Sequence, residues 1–167
     1  MNDTNDDCKK CPAKKFCDNR EDQSLDDMKN IGLTDLKQKL WEKAKKLRNS
    51  DNRRDKNSKR ADRICYYSAL CLAFEYCNEN KGGDYYTDRP IDWEKWGEIK
   101  NIPDKPTIDH ITAIKHPFFK NEEGKIQNNF AVCRSDVNDA KNSLSEYEFT
   151  ELCIKFLRKK GFEVKKN

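Results

Sequence analysis

Long apolar runs are missing from this sequence. The longest stretch of apolar and small residues covers residues 64–74 and includes Ser68, whereas a membrane-spanning helix needs roughly 18 apolar residues. The first ten residues, MNDTNDDCKK, are polar and acidic, which does not fit a secretory signal. We therefore expect no membrane partner and a cytoplasmic location.

Hydrophobic residues are scarce overall. They make up 35% of the 167 residues, while charged residues make up 38% and the mean hydropathy is −1.14. The length is sufficient for one domain with a core, but this composition predicts a small core and a heavily charged surface.

The net charge of +4 is unevenly distributed. Residues 1–36 contain six basic and nine acidic residues, residues 42–63 contain ten and four, and residues 155–167 contain six and one. Two basic tracts indicate a polyanion partner, with nucleic acid as the first candidate. Lysine and glutamate side chains that only solvate helix faces would give the same tracts, and charge alone does not separate the two interpretations.

The hydrophobic pattern predicts helices in the first half of the chain. Residues 34–48 carry an apolar stripe with lysines opposite, which is typical of an amphipathic helix. Residues 49–63 contain almost no apolar side chain and are expected to form a solvated arm, or a segment that orders on a phosphate backbone. Residues 64–77 are the most apolar and must be core, as a strand or as a buried helix.

The second half reads as strand, loop, strand and short helix. Residues 107–114 and 129–133 are the apolar, strand-like segments, and Ser135 or Asp136 can cap a short helix. A last helix begins with a capping box made by Ser145 and Glu148, and Gly161 ends it. Its buried stripe is expected to consist of Phe149, Leu152, Cys153, Phe156 and Leu157.

Only two histidines occur, and both lie in the segment TIDHITAIKHP at residues 107–117. His110 follows Asp109 directly, in a β-branched stretch. Histidine is the side chain whose ordinary pKa lies near neutral pH, so this concentration indicates either an active site or one core and one surface histidine. Neighbouring residues of a regular strand point to opposite faces, so Asp109 and His110 can share a site only where the strand ends or bends.

Four positions in this region match a known motif in order. They are Asp109-His110-Ile111, then Asn129-Phe130, then Asn138 nine residues after Asn129, and Lys141 three residues further on. This pattern resembles the HNH nuclease motif, whose β-hairpin and helix form a ββα-metal finger. The resemblance covers about a quarter of the chain, roughly residues 105–148. It implies an α+β fold with a ββα-metal finger in the C-terminal half, flanked by helices.

The resemblance also implies a role for each position. His110 would be the general base, and Asn129 would fasten the hairpin loop and orient His110. Asp109 and Asn138 would hold Mg²⁺ or Mn²⁺, which stabilises charge on the phosphate and the leaving oxygen. Lys141 would face a phosphate or a neighbouring backbone group. Many relatives have histidine in place of Asn138; Asp136 or Asp139 could replace it as a ligand, and Asn128 could replace Asn129.

The cysteines suggest a second, structural metal. Cys8, Cys11 and Cys17 lie within ten residues, a spacing that indicates a structural Zn²⁺ or an iron–sulfur cluster with a fourth ligand elsewhere. Cys65, Cys71 and Cys77 repeat every six residues, and we interpret them as core cysteines. Many HNH relatives brace the finger with two Cys-x-x-Cys knuckles, but here Cys133 stands alone at that place.

The combined prediction is a divalent-metal-dependent endonuclease that cleaves double-stranded DNA. We expect the chain to have two parts. Residues 1–63 hold the cysteine cluster, a helix and a basic arm, and residues 64–167 form the HNH domain with its C-terminal helix. DNA contacts are expected from Lys141, Arg53, Arg54, Lys59 and Arg60. A type II restriction-like homodimer is favoured. The alternatives are a homing or phage nicking nuclease, a non-catalytic DNA-binding module, and a redox or metal sensor built on the N-terminal cysteines.

Overall fold

The computed structural model describes residues 10–18, 32, 35–54, 63–98, 102–112 and 116–165. Within these ranges the chain is a mixture of helix and sheet, as the α+β prediction requires. The helices are α1 (Lys14–Asp18), α2 (Leu36–Arg54), α3 (Arg63–Glu79), α4 (Ser135–Lys141) and α5 (Glu146–Lys159). The strands are β1 (Pro106–His110), β2 (Phe118–Lys120), β3 (Ile126–Asn128) and β4 (Phe130–Arg134), and Trp93–Lys95 form a 3₁₀ turn.

Helix α3 forms the centre of the core. The sequence pattern is compatible with either a strand or a helix here, and the structure shows a helix. It is apolar on nearly all sides, as expected of a helix that neighbouring elements enclose. Helix α2 packs along it. Leu36, Leu40 and Ala44 are buried and spaced four residues apart, which places them on one face of α2.

Helix α2 is longer than the sequence predicted. It continues to Arg54, so the first part of the expected solvated arm, residues 49–54, is helical. Asp51 is 2% exposed in this extension, because α3 and β1 supply hydrogen-bond partners for its carboxylate. Arg53 and Arg54 lie in the last turn of α2, while Lys59 and Arg60 lie outside the described residues.

The strands form two small antiparallel sheets. Strand β1 pairs with β4, from Pro106 opposite Arg134 to His110 opposite Phe130, and β2 pairs with β3. Helix α4 begins directly after β4 and packs against both β1 and β4. In the chain, the β2–β3 sheet lies between β1 and β4, and α4 follows β4. Because β4 pairs with β1, this order brings the ends of β1 and α4 together.

One hydrophobic cluster extends across the predicted domain boundary at residue 63. It joins Phe16 of α1 and Leu40 of α2 to α3, and it also includes Ile108 and Phe130 of the β1–β4 sheet. The division into two parts stays a prediction, but the described residues on both sides of it share this core. No helix in the described ranges is both long enough and apolar enough to cross a membrane.

Helix α5 confirms one prediction and overturns another. Ser145 and Glu148 form the expected capping box, and Gly161 follows the helix with a φ of 87°, where glycine is favoured. The expected buried stripe is wrong: Leu152 is 52% and Phe156 58% exposed, and Ile154 is the buried residue of the helix. Cys153 and Leu157 are also exposed, and Phe149 is half-buried. The helix docks through its first turn, where the Glu146 amide donates to Ile111 O over 2.9 Å.

Candidate functional site

The motif residues gather where β1 ends. His110 is the last residue of β1, and Asp109 lies opposite Ala131 of β4. The two side chains have different partners, as strand alternation requires: Asp109 meets α4 and the loop after α3, whereas His110 meets α2. At the end of the strand, the Asp109 carboxylate and the His110 imidazole are thus each supported by a different element.

Asp109 is held by two donors. Its carboxylate Oδ2 accepts a hydrogen bond of 2.6 Å from the Tyr86 hydroxyl and lies 2.9 Å from Lys141 Nζ. The ammonium of Lys141 also donates to the backbone oxygen of His110 over 2.9 Å. Lys141 is 1% exposed, so the side chain lies inside the protein against Asp109 and a backbone group. The structure thus places it against the backbone group that was one of its two predicted partners.

Tyr86 is positioned by a buried aspartate that the sequence did not single out. Asp84 Oδ1 accepts from the backbone amides of Tyr86 and Thr87 and from the Thr87 hydroxyl. Its Oδ2 accepts from the amide of Arg134 at the junction of β4 and α4. Burial and the nearby Asp109 carboxylate raise the pKa of Tyr86, so its phenol stays protonated and acts as a donor.

His110 is paired with a second buried carboxylate. Its Nε2 lies 3.1 Å from Asp51 Oδ2, and the two side chains are 12% and 2% exposed. The Tyr66 hydroxyl donates to the same oxygen over 3.2 Å, and the Phe130 ring packs edge-on against the imidazole at 5.1 Å between centroids. When Nε2 of a neutral imidazole donates to a carboxylate, Nδ1 carries the lone pair and can act as a base.

Asp51 was missed because residues 49–63 read as a polar arm. A usable signal was present in the spacing of α2. Leu40, Ala44, Leu47 and Asp51 follow one another by four, three and four residues, so Asp51 continues the apolar face. A carboxylate on the core side of an amphipathic helix calls for a buried partner.

Asn129 fastens the segment that joins β1 to β2. It is fully buried, and its side-chain oxygen accepts from the amide and the hydroxyl of Thr112 over 2.8 and 3.0 Å. Its Nδ2 donates to the backbone oxygen of His116 over 2.8 Å, and its backbone amide donates to Pro117. These bonds match the loop-fastening part of its expected role; its part in orienting His110 stays a prediction.

Asn138 and its alternatives differ in their surroundings. Asn138 is half-buried on α4, three residues before Lys141 and so on the same side of the helix. Asp136 instead bonds the guanidinium of Arg134 over 2.9 and 3.0 Å, and Arg134 holds the pKa of Asp136 below its ordinary value. Asp139 is exposed. Of the three, Asn138 is the one that is neither bonded to Arg134 nor exposed, so it stays the predicted second ligand.

The fit of a divalent cation rests on these oxygen atoms. Both donors to Asp109 use Oδ2, and the described residues make no hydrogen bond with its Oδ1. Mg²⁺ typically takes one or two protein carboxylates and completes its shell with water and phosphate oxygens. No group of three or more His, Cys, Asp or Glu side chains suited to a metal occurs in the described ranges. The hypothesis that Asp109 and Asn138 are the two ligands requires no such group and stays a prediction.

The cysteine predictions have separate outcomes. Cys71 and Cys77 are buried in the core, as expected, and burial raises the pKa of each thiol to about 12. Cys17 lies 3.0 Å from the Ser68 hydroxyl, Cys11 is half-buried, and Cys8 lies outside the described residues. A structural metal at these three N-terminal cysteines stays a prediction.

Comparison of the chain with protein-family models, with curated proteins and with solved structures finds no match. Function must therefore be argued from the site itself and from the motif its residues resemble.

Proposed function

We propose that this protein is a divalent-metal-dependent HNH-type endonuclease that hydrolyses phosphodiester bonds of double-stranded DNA. The observation that carries the proposal is the convergence of motif residues at the end of β1. His110 is paired there with a buried carboxylate, and Lys141 of α4 bonds both the Asp109 carboxylate and the backbone oxygen of His110. The antiparallel pair of β1 and β4, followed directly by α4, is the order of elements that supports a ββα-metal finger.

In this mechanism His110 is the general base. In the tautomer that serves as base, Nε2–H donates a hydrogen bond to Asp51, which leaves the Nδ1 lone pair available to take a proton from an attacking water. Phe130 packs against the ring and restricts its rotation. The arrangement resembles the pairing of a histidine with an orienting carboxylate that serves hydrolases of unrelated folds.

Asp109 and Asn138 would hold Mg²⁺ or Mn²⁺, which supplies stabilisation of negative charge on the phosphate and on the leaving oxygen. Lys141 has a supporting role, because it ties the Asp109 carboxylate to the backbone of His110. Asn129 bonds Thr112 and the backbone oxygen of His116, which lie between β1 and β2. The catalytic side chains are thus held by buried polar contacts instead of by exposed loops.

Cleavage of supercoiled plasmid tests the proposal. Wild type, His110→Ala and His116→Ala are compared with Mg²⁺ and with EDTA. The second variant is a matched control, since His116 is the other histidine and bonds within its own turn, through Nδ1 and Phe118 O at 2.8 Å. We expect metal-dependent nicking or linearisation that His110→Ala abolishes and His116→Ala retains.

Discrete fragments in that assay would support the restriction-like form of the proposal, and nicked circles alone would favour a nicking nuclease. If wild type and both variants bind DNA but none of them cleaves DNA or RNA, the protein is a non-catalytic DNA-binding module and not a nuclease. Because one chain carries one such site, cutting both strands calls for two copies, and we propose a homodimer.

A further inference from the structure

A lysine-lined crevice lies between α2 and the start of β1. Its volume is about 380 Å³, and its basic lining residues are Lys39, Lys43, Lys46 and Lys105. Trp96 forms part of its wall, and two carboxylates, Glu42 and Glu98, also reach it.

The three α2 lysines lie on one side of the helix. Lys39, Lys43 and Lys46 are spaced by four and three residues, which is the spacing of neighbours on a helical surface. Lys105 approaches from the segment before β1, and its ammonium donates to the backbone oxygen of Glu98 over 3.3 Å. Charge from two different elements therefore converges on one concave surface.

Two of these lysines have no ion-pair partner among the described residues. Glu42 is shared with Arg63, at 3.2 Å from its Nη2, and Lys43 and Lys46 form no ion pair with any described residue. Burial, followed by repulsion from Lys46 and Lys105, lowers the pKa of Lys43. Crowding like charges in a crevice costs free energy that a bound anion would offset.

The crevice leads towards the candidate site. Two points connect α2 with β1: Lys46 and Pro106 both line the crevice, and Asp51 contacts His110 further along both elements. The four steps from Pro106 to His110 span about 13 Å. Phosphates along one strand of B-DNA recur about every 3.4 Å along the axis, so one strand could reach both places within about four nucleotides.

We propose that this crevice binds the phosphodiester backbone of a nucleic-acid strand whose path continues to His110. The continuation to His110 rests on the proposed nuclease function, whereas the binding itself does not. We expect binding in the crevice to be independent of base sequence, because lysine ammonium groups act on phosphates as point charges.

The experiment measures how salt weakens binding of the full-length protein to a duplex DNA of about 25 base pairs. EDTA is present so that no strand is cut, and affinity is followed by fluorescence anisotropy over a series of KCl concentrations. The test variant is Lys43→Gln/Lys46→Gln. The matched control is Lys37→Gln/Lys45→Gln, which removes two charges from other sides of the same helix.

For the crevice variant we expect the slope of log affinity against log salt to become shallower by about 1.8, since each phosphate contact contributes about 0.9. We expect the control slope to stay within experimental error of wild type. Urea unfolding should show the crevice variant to be at least as stable as wild type, because the substitution removes like-charge repulsion. A shallower slope can then not be attributed to unfolding.

Equal slope changes in both double variants would overturn the proposal, because they would show a diffuse charge effect. An unchanged slope in the crevice variant would overturn it as well. Repeating the titration with His110→Ala separates the two proposals. If His110→Ala has the wild-type slope and the wild-type protein does not cut plasmid, the nuclease proposal fails. The proposal that the crevice binds phosphates then still stands.

Discussion

His110 Nε2 lies 3.1 Å from the carboxylate of Asp51, a residue 59 positions earlier in the chain. One partner ends a strand and the other lies on the buried face of a long helix. The pair therefore forms only when the last turns of α2 lie against the end of β1. Because the Tyr66 hydroxyl donates to the same carboxylate oxygen, Asp51 is held in place from a third element, α3.

Replacement of Asp51 by asparagine should reduce the ability of His110 to act as a base more than it reduces the stability of the fold. The amide can present Nδ2–H to Nε2, which favours the imidazole tautomer with its proton on Nδ1 and its lone pair directed away from water. We expect single-turnover cleavage to fall by about 100-fold or more, within the contribution of general acid–base catalysis, with DNA affinity little changed. The tautomer itself is read from ¹⁵N chemical shifts of the His110 ring.

Tyr66→Phe is the control for that experiment, since it removes the other hydrogen bond to Asp51 and keeps the carboxylate. We expect it to retain the wild-type tautomer and most of the cleavage rate. If Asp51→Asn cleaved as fast as wild type, or kept the same tautomer, the carboxylate would have no positioning role.

The contact of Lys141 with Asp109 predicts a large effect on stability. Lys141→Met keeps the length of the side chain but leaves Asp109, which is 7% exposed, with Tyr86 as its remaining donor to Oδ2. Loss of one member of a buried ion pair typically costs about 3–5 kcal/mol of unfolding free energy. Urea denaturation of the metal-free protein measures it.

Lys125→Met serves as the matched control for that measurement. Lys125 pairs with Glu123 on the surface, and its side chain is 74% exposed, so we expect a change below about 1 kcal/mol. Asp109→Asn/Lys141→Met should recover part of the loss, because no unpaired charge is then buried. A Lys141→Met protein as stable as the Lys125→Met protein would show that this contact does not stabilise the fold.

Glu146 predicts a pH dependence of stability. Burial raises the pKa of this carboxyl above its ordinary value, against the opposing effect of Lys141. The folded protein therefore holds the proton to higher pH than the unfolded chain, and the stability this gives is complete below about pH 4.5. It is lost as the pH rises through the folded pKa, because the buried group must then ionise.

The measurement compares wild type with Glu146→Gln by urea denaturation from pH 4 to pH 8. We expect wild type to lose stability relative to the variant as the pH rises, and the difference to level off once the carboxylate is fully ionised. Parallel profiles for the two proteins would contradict the raised pKa. Glu148→Gln is unsuitable as a control because its carboxylate caps the same helix.

Local signals in the sequence were reliable where neighbours along the chain decide the structure. The capping box of Ser145 and Glu148 was found because both partners lie within one helical turn. Asp109 and His110 were singled out by a short motif, but the motif did not show that regular pairing continues to His110 and gives the two side chains different partners. Asp51 and Tyr86 were not assigned their roles because their partners come from distant segments.

Helical periodicity shows which side of a helix is apolar but not whether another element covers it. This explains the error at α5, whose apolar residues were expected to be buried. It also explains why the apolar run at residues 64–77 did not separate strand from helix, since a segment enclosed on all sides loses its periodic contrast.

The exposed stripe of α5 predicts how two copies associate. Leu152 and Phe156 lie four residues apart on one side of the helix and are more than half exposed, which is unusual for large apolar neighbours on a free surface. In a symmetric dimer the same patch meets itself across the two-fold axis, so one substitution changes both halves of the contact. Phe156→Lys should then convert dimers to monomers in sedimentation equilibrium and change the plasmid product from linear DNA to nicked circles. Tyr147→Lys is the matched control, because Tyr147 is 71% exposed and lies on the opposite side of α5; a wild-type protein that sediments as a monomer at micromolar concentration would exclude this dimer.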